Sequence, residues 1–560
     1  MFLRQKRPSI QKMTSKFYKA VSLVPAFLAP VMALFFSCSL RVPVISSIDP
    51  KTGNIGEVIT LRGSNFGEDR DESYVSIAGT TPTNSSYYRW QDDLISIKVP
   101  ESGESGLIYV HVRGRKSNGV LFLNSAAVPK PVDGENFGLE PKISSVSPQM
   151  GPPGTIITIT GSNFGASRET GGVFFSWDFE STSFNPYEVR EPEFIEVSET
   201  ELGYEAWNAR EIRVRLPDGA VSGNLEVRTS HGKSRPVFFD VSGRPGTKTF
   251  SEKRSYTINF SVDVKILEAA RPNTLYLWVP RPVSSPSQRN VNLISCSANP
   301  FVDNYRGASL FKLENLGTGT SHTISCSFSI DVYALETEIR PQAVRQEESP
   351  LFAIYTQSSA LIPSDDPQIK AAVNTIIGRE QNPYNKAKLI YDWILANIEI
   401  FETLPVPSGG IAAALEKRQL DSYHAALLFT AMARAARLPC IPAAGVLVNR
   451  SGQTLQHYWA EFWIDGFGWL PVDPAMGYGA VPENFISKQN LAGYYFGNLD
   501  SQRIAFSRGE VKFSQMDSRG RVVSHTHSYS LQNIWEEAAG GLESYSSLWG
   551  DITISGIYVQ

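Results

Sequence analysis

Cysteine is scarce in this chain, with four in 560 residues, which excludes a disulfide-scaffolded fold. Positive charge is equally short. Lys and Arg number 52 against 56 Asp and Glu, giving a net charge of −4, and only 19% of residues are charged. That leaves no basic footprint, so nucleic acid is not an expected partner. No phosphate loop or dinucleotide fingerprint is present, because the glycine-rich stretches are those of β-turns, and no cofactor is expected. Helical periodicity does not begin until Asp366. What remains is a globular, β-rich chain whose length suggests about four domains.

The first forty residues carry a separate signal. Arg4, Lys6, Arg7, Lys12, Lys16 and Lys19 precede an uncharged apolar run from Ala20 to Phe36, which ends at Ser37-Cys38. A basic segment, an apolar segment and a small residue before the cut describe an export signal. The small residue before Cys38 resembles a bacterial lipobox, which implies a signal peptide over residues 1–37 and an acylated Cys38. An uncleaved anchor helix and an ordinary cleaved signal are the alternatives, with Pro25 and Pro30 set against a stable span. The expected location is the bacterial cell envelope, membrane-anchored through lipid.

An internal repeat follows. Ile45-Ser46-Ser47-Ile48-Asp49-Pro50 returns as Ile143-Ser144-Ser145-Val146-Ser147-Pro148, and Gly63-Ser64-Asn65-Phe66-Gly67 returns as Gly161-Ser162-Asn163-Phe164-Gly165. Between them lie Val58-Ile59-Thr60-Leu61 and Ile156-Ile157-Thr158-Ile159, β-branched and strand-forming. Units of this length are domains and not a short-period solenoid. The pattern resembles IPT/TIG domains, which implies immunoglobulin-like β-sandwiches over residues 42–125 and 141–243, with a Pro/Gly-rich linker at 126–140. Such domains are expected to form a stalk, either passive or adhesive to a carbohydrate or protein.

Residues 247–345 alternate again, as in Tyr256-Thr257-Ile258-Asn259-Phe260-Ser261-Val262, and read as a further antiparallel sandwich. Cys296 and Cys326 lie in strand-like segments here, either paired across the sheet or as two small buried residues. Helices come next. Asp366 before Pro367 and Asn382 before Pro383 are caps with a proline at the first helical position. A third helix is expected from Asp421 to Ala436, with Ala425, Leu428, Phe429, Met432 and Ala436 as its buried stripe.

That third helix opens a suggestive constellation. Asp421-Ser422-Tyr423-His424 leads to Arg434 and Leu438-Pro439, then His457-Tyr458-Trp459-Ala460-Glu461, then Trp469-Leu470-Pro471-Val472-Asp473-Pro474. A nucleophile opening a helix, with base and orienting acid on later strands, is cysteine-hydrolase architecture. The motifs resemble the transglutaminase-like superfamily, read as G-x-C-x-x-x-A, H-x-W-x-E and W-x-P-x-D-P. That implies a papain-like α+β core over residues 350–485, with 486–560 returning as strands packed on it. The L-W-V-P-x-P stretch around Trp278 looks like the β-domain that precedes such cores. The implied catalytic residues are Ser422, His457 and Asp473, yet Ser422 stands where the family has its nucleophilic Cys, Leu420 where it usually has Gly, and Ile441 where it often has Arg.

The substitution matters chemically. A thiol near pKa 8.5 and an imidazole near 6.5 can form an ion pair at a helix N-terminus, whereas a serine hydroxyl has no comparable anionic fraction. Three readings stay open: a degenerate site with Ser422 or Asp421 as a helix cap, an active Ser-His-Asp peptidase, amidase or acyltransferase, or a replacement nucleophile, Cys440. The expected partner of a degenerate core is a protein, peptide or cell-wall polymer. His424 is expected at the rim. His525 and His527 are expected on one strand face, too few for a closed zinc site, so no metal is expected. Leu531 to Tyr545 is read as helical, with an edge strand after it.

Overall fold

The glycine-marked repeats fold alike, for a reason visible in their backbone. In the first, Val44–Asp49 pairs antiparallel with Val58–Ser64, and in the second Lys142–Ser147 pairs with Ile156–Ser162 in the equivalent register. A Cβ on Gly63 or Gly161 would lie 2.0 Å from the carbonyl oxygen of Val44 or Lys142, so the tight pairing admits only glycine. Each repeat stacks two mainly antiparallel sheets around an apolar centre, an immunoglobulin-like sandwich. The likeness runs further than the motif: Trp90 donates to the carbonyl of Phe66 and Trp207 to that of Phe164. This computed structural model describes residues 42–101, 105–124, 139–179, 193–346, 350–402, 410–525 and 527–559. The export signal with Cys38 and nearly all of the 126–140 linker lie outside the described residues.

The third β-unit is one eight-stranded sheet built on a strand of 35 residues, Gly246–Pro280. Along one edge it pairs with Ser321–Ile339 and then Ala308–Glu314. Along the other it pairs with Thr553–Val559 and Glu536–Trp549. Bulges between Ile266 and Asn273 bend it, so that Val262, Val264 and Ile266 share a core with Leu275, Leu277 and Val279. Cys296 and Cys326 stand opposite each other on neighbouring strands and form a disulfide, which decides between the two readings of that pair.

Two expectations for the C-terminus are corrected. Leu531 to Tyr545 is not helical: Glu536–Trp549 is a strand. Gly540 and Gly541 weaken a helix there, and Gly540 has φ of 67° with Pro272 O only 2.5 Å from where a Cβ would be. The last residues also divide between two sheets. Arg503–Arg508 joins the core sheet, whereas Arg521–Val523, Glu536–Trp549 and Thr553–Val559 complete the third β-unit. The edge strand expected at the end is present as Thr553–Val559.

The papain-like α+β core has the antiparallel sheet order Gly468–Val472, Thr454–Ile464, Cys440–Val448, Arg503–Arg508. Helix Ser422–Ala435 is buried along almost its whole length, packed between that sheet and helices Pro367–Ile377, Pro383–Asn397 and Ile411–Lys417. Asp366 and Asn382 cap the first two of those helices by accepting backbone N–H bonds at 2.8–3.2 Å.

The IPT/TIG domains do not form the expected stalk. The second shares a continuous apolar core with Phe250, Tyr333 and Leu335 of the third β-unit and with Ala443 and Trp459 of the core sheet. Arg508 of that sheet binds both Glu461 and Glu201, and the buried Lys248 binds Asp218 at 2.6 Å and the carbonyl of Trp469 at 2.9 Å. The first domain presses Leu107, Tyr109 and Leu121 against Trp278, Phe513 and Met516. Apolar side chains that a free sandwich would leave in water are covered here, and this sets the domains against the core.

Candidate functional site

Asp473 ends the Gly468–Val472 strand and caps helix Pro474–Tyr478, its Oδ1 accepting the Met476 N–H at 3.0 Å. Its other oxygen, Oδ2, accepts from His457 Nε2 at 2.7 Å and from Arg503 Nη1 at 2.9 Å. Arg503 also reaches Asp500 Oδ2 at 2.6 Å, and Tyr495 donates to the same oxygen at 3.0 Å. The rings of Trp459 and Tyr495 flank the guanidinium at 5.1 and 5.6 Å. All four ionisable members are buried: Asp473 0%, Asp500 1%, His457 3% and Arg503 3% exposed.

Burial by itself would raise the Asp473 carboxyl, but His457 and Arg503 outweigh it and hold the group at about 2. Burial works against the Arg503 charge, yet Asp500 and Asp473 hold it protonated. With Nε2 given to the carboxylate, Nδ1 is the imidazole nitrogen left to meet a nucleophile.

Ser422 is the first residue of its helix and is 9% exposed. The cap is Asp421, whose Oδ1 accepts the His424 N–H at 2.9 Å and also contacts His424 Nδ1 at 2.7 Å. Among the described residues, no hydrogen bond joins the Ser422 hydroxyl to His457. Along the neighbouring strand Tyr458, Ala460 and Phe462 pack toward the helix. His457 leaves on the alternate side, in line with Trp459. The structure thus brings His457 and Asp473 together and leaves Ser422 outside their hydrogen bond.

Other placements differ from expectation. Cys440 is fully buried opposite Phe462, and burial pushes its thiol up to about 12, which removes it as a replacement nucleophile. His424 is not a rim residue: it is 2% exposed, because the 527–530 segment covers the start of the helix. His525 and His527 do not share a strand face, since that strand ends at Val523. His525 turns to Glu536, Trp535 and Trp549, and His527 turns to Asp421 and Tyr423.

Arg503 and Asp500 complete the centre without belonging to any of the motifs. Their only sequence signal is a charged pair flanking an apolar strand, and their partner lies thirty residues upstream. A cavity of about 30 Å³ at the seam between the second IPT/TIG domain and the core, lined by Tyr355, Trp463, Trp469, Glu201, Arg215 and Asp218, has room for a water or two and no ligand.

Residues 370–474 match the family model of the transglutaminase-like superfamily, and residues 43–125 and 141–184 match that of the IPT/TIG domain. The superfamily match takes in Ser422, His457 and Asp473 and stops short of Arg503. An uncharacterized protein of Haemophilus influenzae is 28% identical over a stretch covering 25% of this chain and 46% of that protein. The chain therefore spans under half the length of that relative. Among solved structures, a Cytophaga hutchinsonii protein described provisionally as a cysteine protease is 16% identical, with 56% of this chain and 92% of that one covered at a TM-score of 0.34. The periplasmic domain of TgpA from Pseudomonas aeruginosa is 16% identical, with 42% and 92% covered at a TM-score of 0.24. Scores this low transfer no activity.

Proposed function

From the premise that residues 370–474 form a transglutaminase-like domain preceded by an IPT/TIG region, we propose that the domain is a degenerate member that binds peptide or cell-wall polymer and does not turn it over. The observation that carries this is the position of Arg503. Its guanidinium lies 2.9 Å from the carboxylate oxygen that also holds His457. A serine hydroxyl needs its base to become imidazolium during attack, with the carboxylate stabilising that charge. Here Arg503 already draws on the same carboxylate in a buried site, so less of that charge is left to stabilise the ring during attack. A cysteine thiolate would form more readily beside a helix N-terminus, but residue 422 is serine.

A specific observation favours the second reading, an active Ser-His-Asp peptidase, amidase or acyltransferase: the His457–Asp473 bond leaves Nδ1 unspent. A fluorophosphonate probe separates the two. The folded protein is expected to remain unlabelled. Labelling that disappears in Ser422→Ala would overturn the binding reading in favour of the hydrolase.

The same reading places the chain in the bacterial envelope, tethered by an acylated Cys38. Its support is the basic and apolar order of residues 4–38. Mass spectrometry of the mature N-terminus is expected to find diacylglycerol on Cys38. An N-terminus without lipid at that position would remove the anchor.

A further inference from the structure

Three ligand-type side chains meet at the start of the Ser422–Ala435 helix, drawn from two segments a hundred residues apart. They are Asp421, His424 and His527, with one donor atom from each lying within 4.8 Å of the others. From this the geometry points to a binding site for a divalent transition metal ion, of which Zn²⁺ is the best match, held by Asp421, His424 and His527 with one position open to solvent. The inference does not depend on whether the domain is a binding module or a hydrolase.

The spacing carries the argument. His527 Nε2 lies 3.9 Å from Asp421 Oδ2, too far for a hydrogen bond. Two donors each about 2.0–2.2 Å from a tetrahedral ion stand roughly 3.3–3.6 Å apart, so this pair has to close by a few tenths of an ångström, and a pair at the full 4.8 Å by about an ångström. The Asp421 carboxylate approaches His424 Nδ1 at 2.7 Å through its other oxygen. An incoming ion would take the place of the proton between these two groups, with the imidazole then carrying its single N–H on Nε2. Among the described residues no Lys or Arg is paired with Asp421, so its charge is not already neutralised by a fixed cation.

The surroundings hold the ligands in position. The His527 ring lies 4.0 Å from that of Tyr423 and 5.1 Å from that of His424, centre to centre. The Tyr458 hydroxyl donates to the carbonyl of Ser528 at 2.7 Å and so ties the 527–530 segment to the core sheet. His527 takes φ of 55°, a left-handed conformation that a non-glycine residue keeps only when its contacts impose it. Two imidazoles and one carboxylate suit zinc and its transition-metal neighbours, whereas calcium and magnesium take oxygen ligands. The His527 side chain is 38% exposed against 2% for His424. Solvent therefore reaches the site from one side, and a three-ligand site with a water in the fourth position is the arrangement that follows.

Titration of the full mature chain with zinc alone, read by competition with a chromophoric chelator, tests the site. One equivalent per chain is expected, with affinity falling by on the order of tenfold or more in His527→Ala. His525→Ala, whose ring packs on Trp535 and Trp549, is expected to bind as the parent does. Cobalt is expected to give the intense visible absorption of a near-tetrahedral site, lost in the same variant. The inference is overturned by the absence of stoichiometric binding at neutral pH, or by zinc affinity unchanged in His527→Ala. His527 is partly exposed, so that variant is expected to keep its fold, and circular dichroism checks that it has.

Discussion

Arg503→Met is expected to destabilise the core domain by about 3–5 kcal/mol, the range for removing one partner of a buried ion pair. The side chain that replaces it can fill the space beside Trp459 and Tyr495, so the loss is electrostatic and not a cavity. Two carboxylates, Asp473 and Asp500, are then left buried without a guanidinium, the first keeping only His457 and the second only the Tyr495 hydroxyl as side-chain partners. Chemical denaturation followed by tryptophan fluorescence measures the effect. A midpoint equal to that of the parent would show that the guanidinium is not what holds this centre together.

The same centre predicts an acid limb. The folded-state carboxyl of Asp473 sits at about 2 against an ordinary value of 3.8, a depressed value. Its contribution to stability is therefore fully present above pH 3.8 and is lost as pH falls toward 2. The size is about 2 kcal/mol. In Arg503→Met the limb is expected to begin at higher pH, because the guanidinium that helps hold the carboxylate ionised has gone.

Arg508→Leu is expected to cost about 3–5 kcal/mol and, unlike the first substitution, to uncouple two domains. Arg508 binds Glu461 on its own sheet through two nitrogens at 2.6 and 3.0 Å, and it binds Glu201 of the second IPT/TIG domain through a third. The arginine fork is the one side chain able to serve both carboxylates at once. Glu201 can recover solvent when the pair breaks, whereas Glu461, 8% exposed, cannot. Most of the cost therefore falls on the core sheet. Limited proteolysis between the second IPT/TIG domain and the third β-unit, around residues 243–246, should become rapid in the variant. A double-mutant cycle with Glu201→Gln isolates the interdomain part, and additivity of the two substitutions would mean that Arg508 does not couple the domains.

The elements written in local chemistry were legible. Glycines, asparagines and β-branched runs at matching offsets announce two sandwiches, because Gly63 and Gly161 can hold no side chain against the carbonyls they face. Asp366, Asn382 and the apolar stripe of residues 425–436 announce helices, because caps and helical period act within a few residues. His457 and Asp473 could be paired from their motifs, since neighbouring strands of a hairpin set their relation. The helix expected over Leu531 to Tyr545 does not form because Gly540 and Gly541 disfavour it and lie too close to the backbone at Pro272 and Ala270 to carry a side chain. The strand partner that rewards an extended conformation there is some 260 residues away.

The sequence by itself determined the kinds of unit in this protein and their order, because turns, caps and side-chain periodicity are short-range properties of the chain. It also determined that a hydroxyl stands where a thiol would be expected. Only the tertiary structure decided which charges share a buried site: Arg503 with Asp473, Arg508 with Glu201, His527 with Asp421. It decided as well that the IPT/TIG domains lie against the core and do not extend from it. The reason is physical. Burial makes an ion pair strong only after many distant segments have excluded water from it, and no local pattern records which segments those will be.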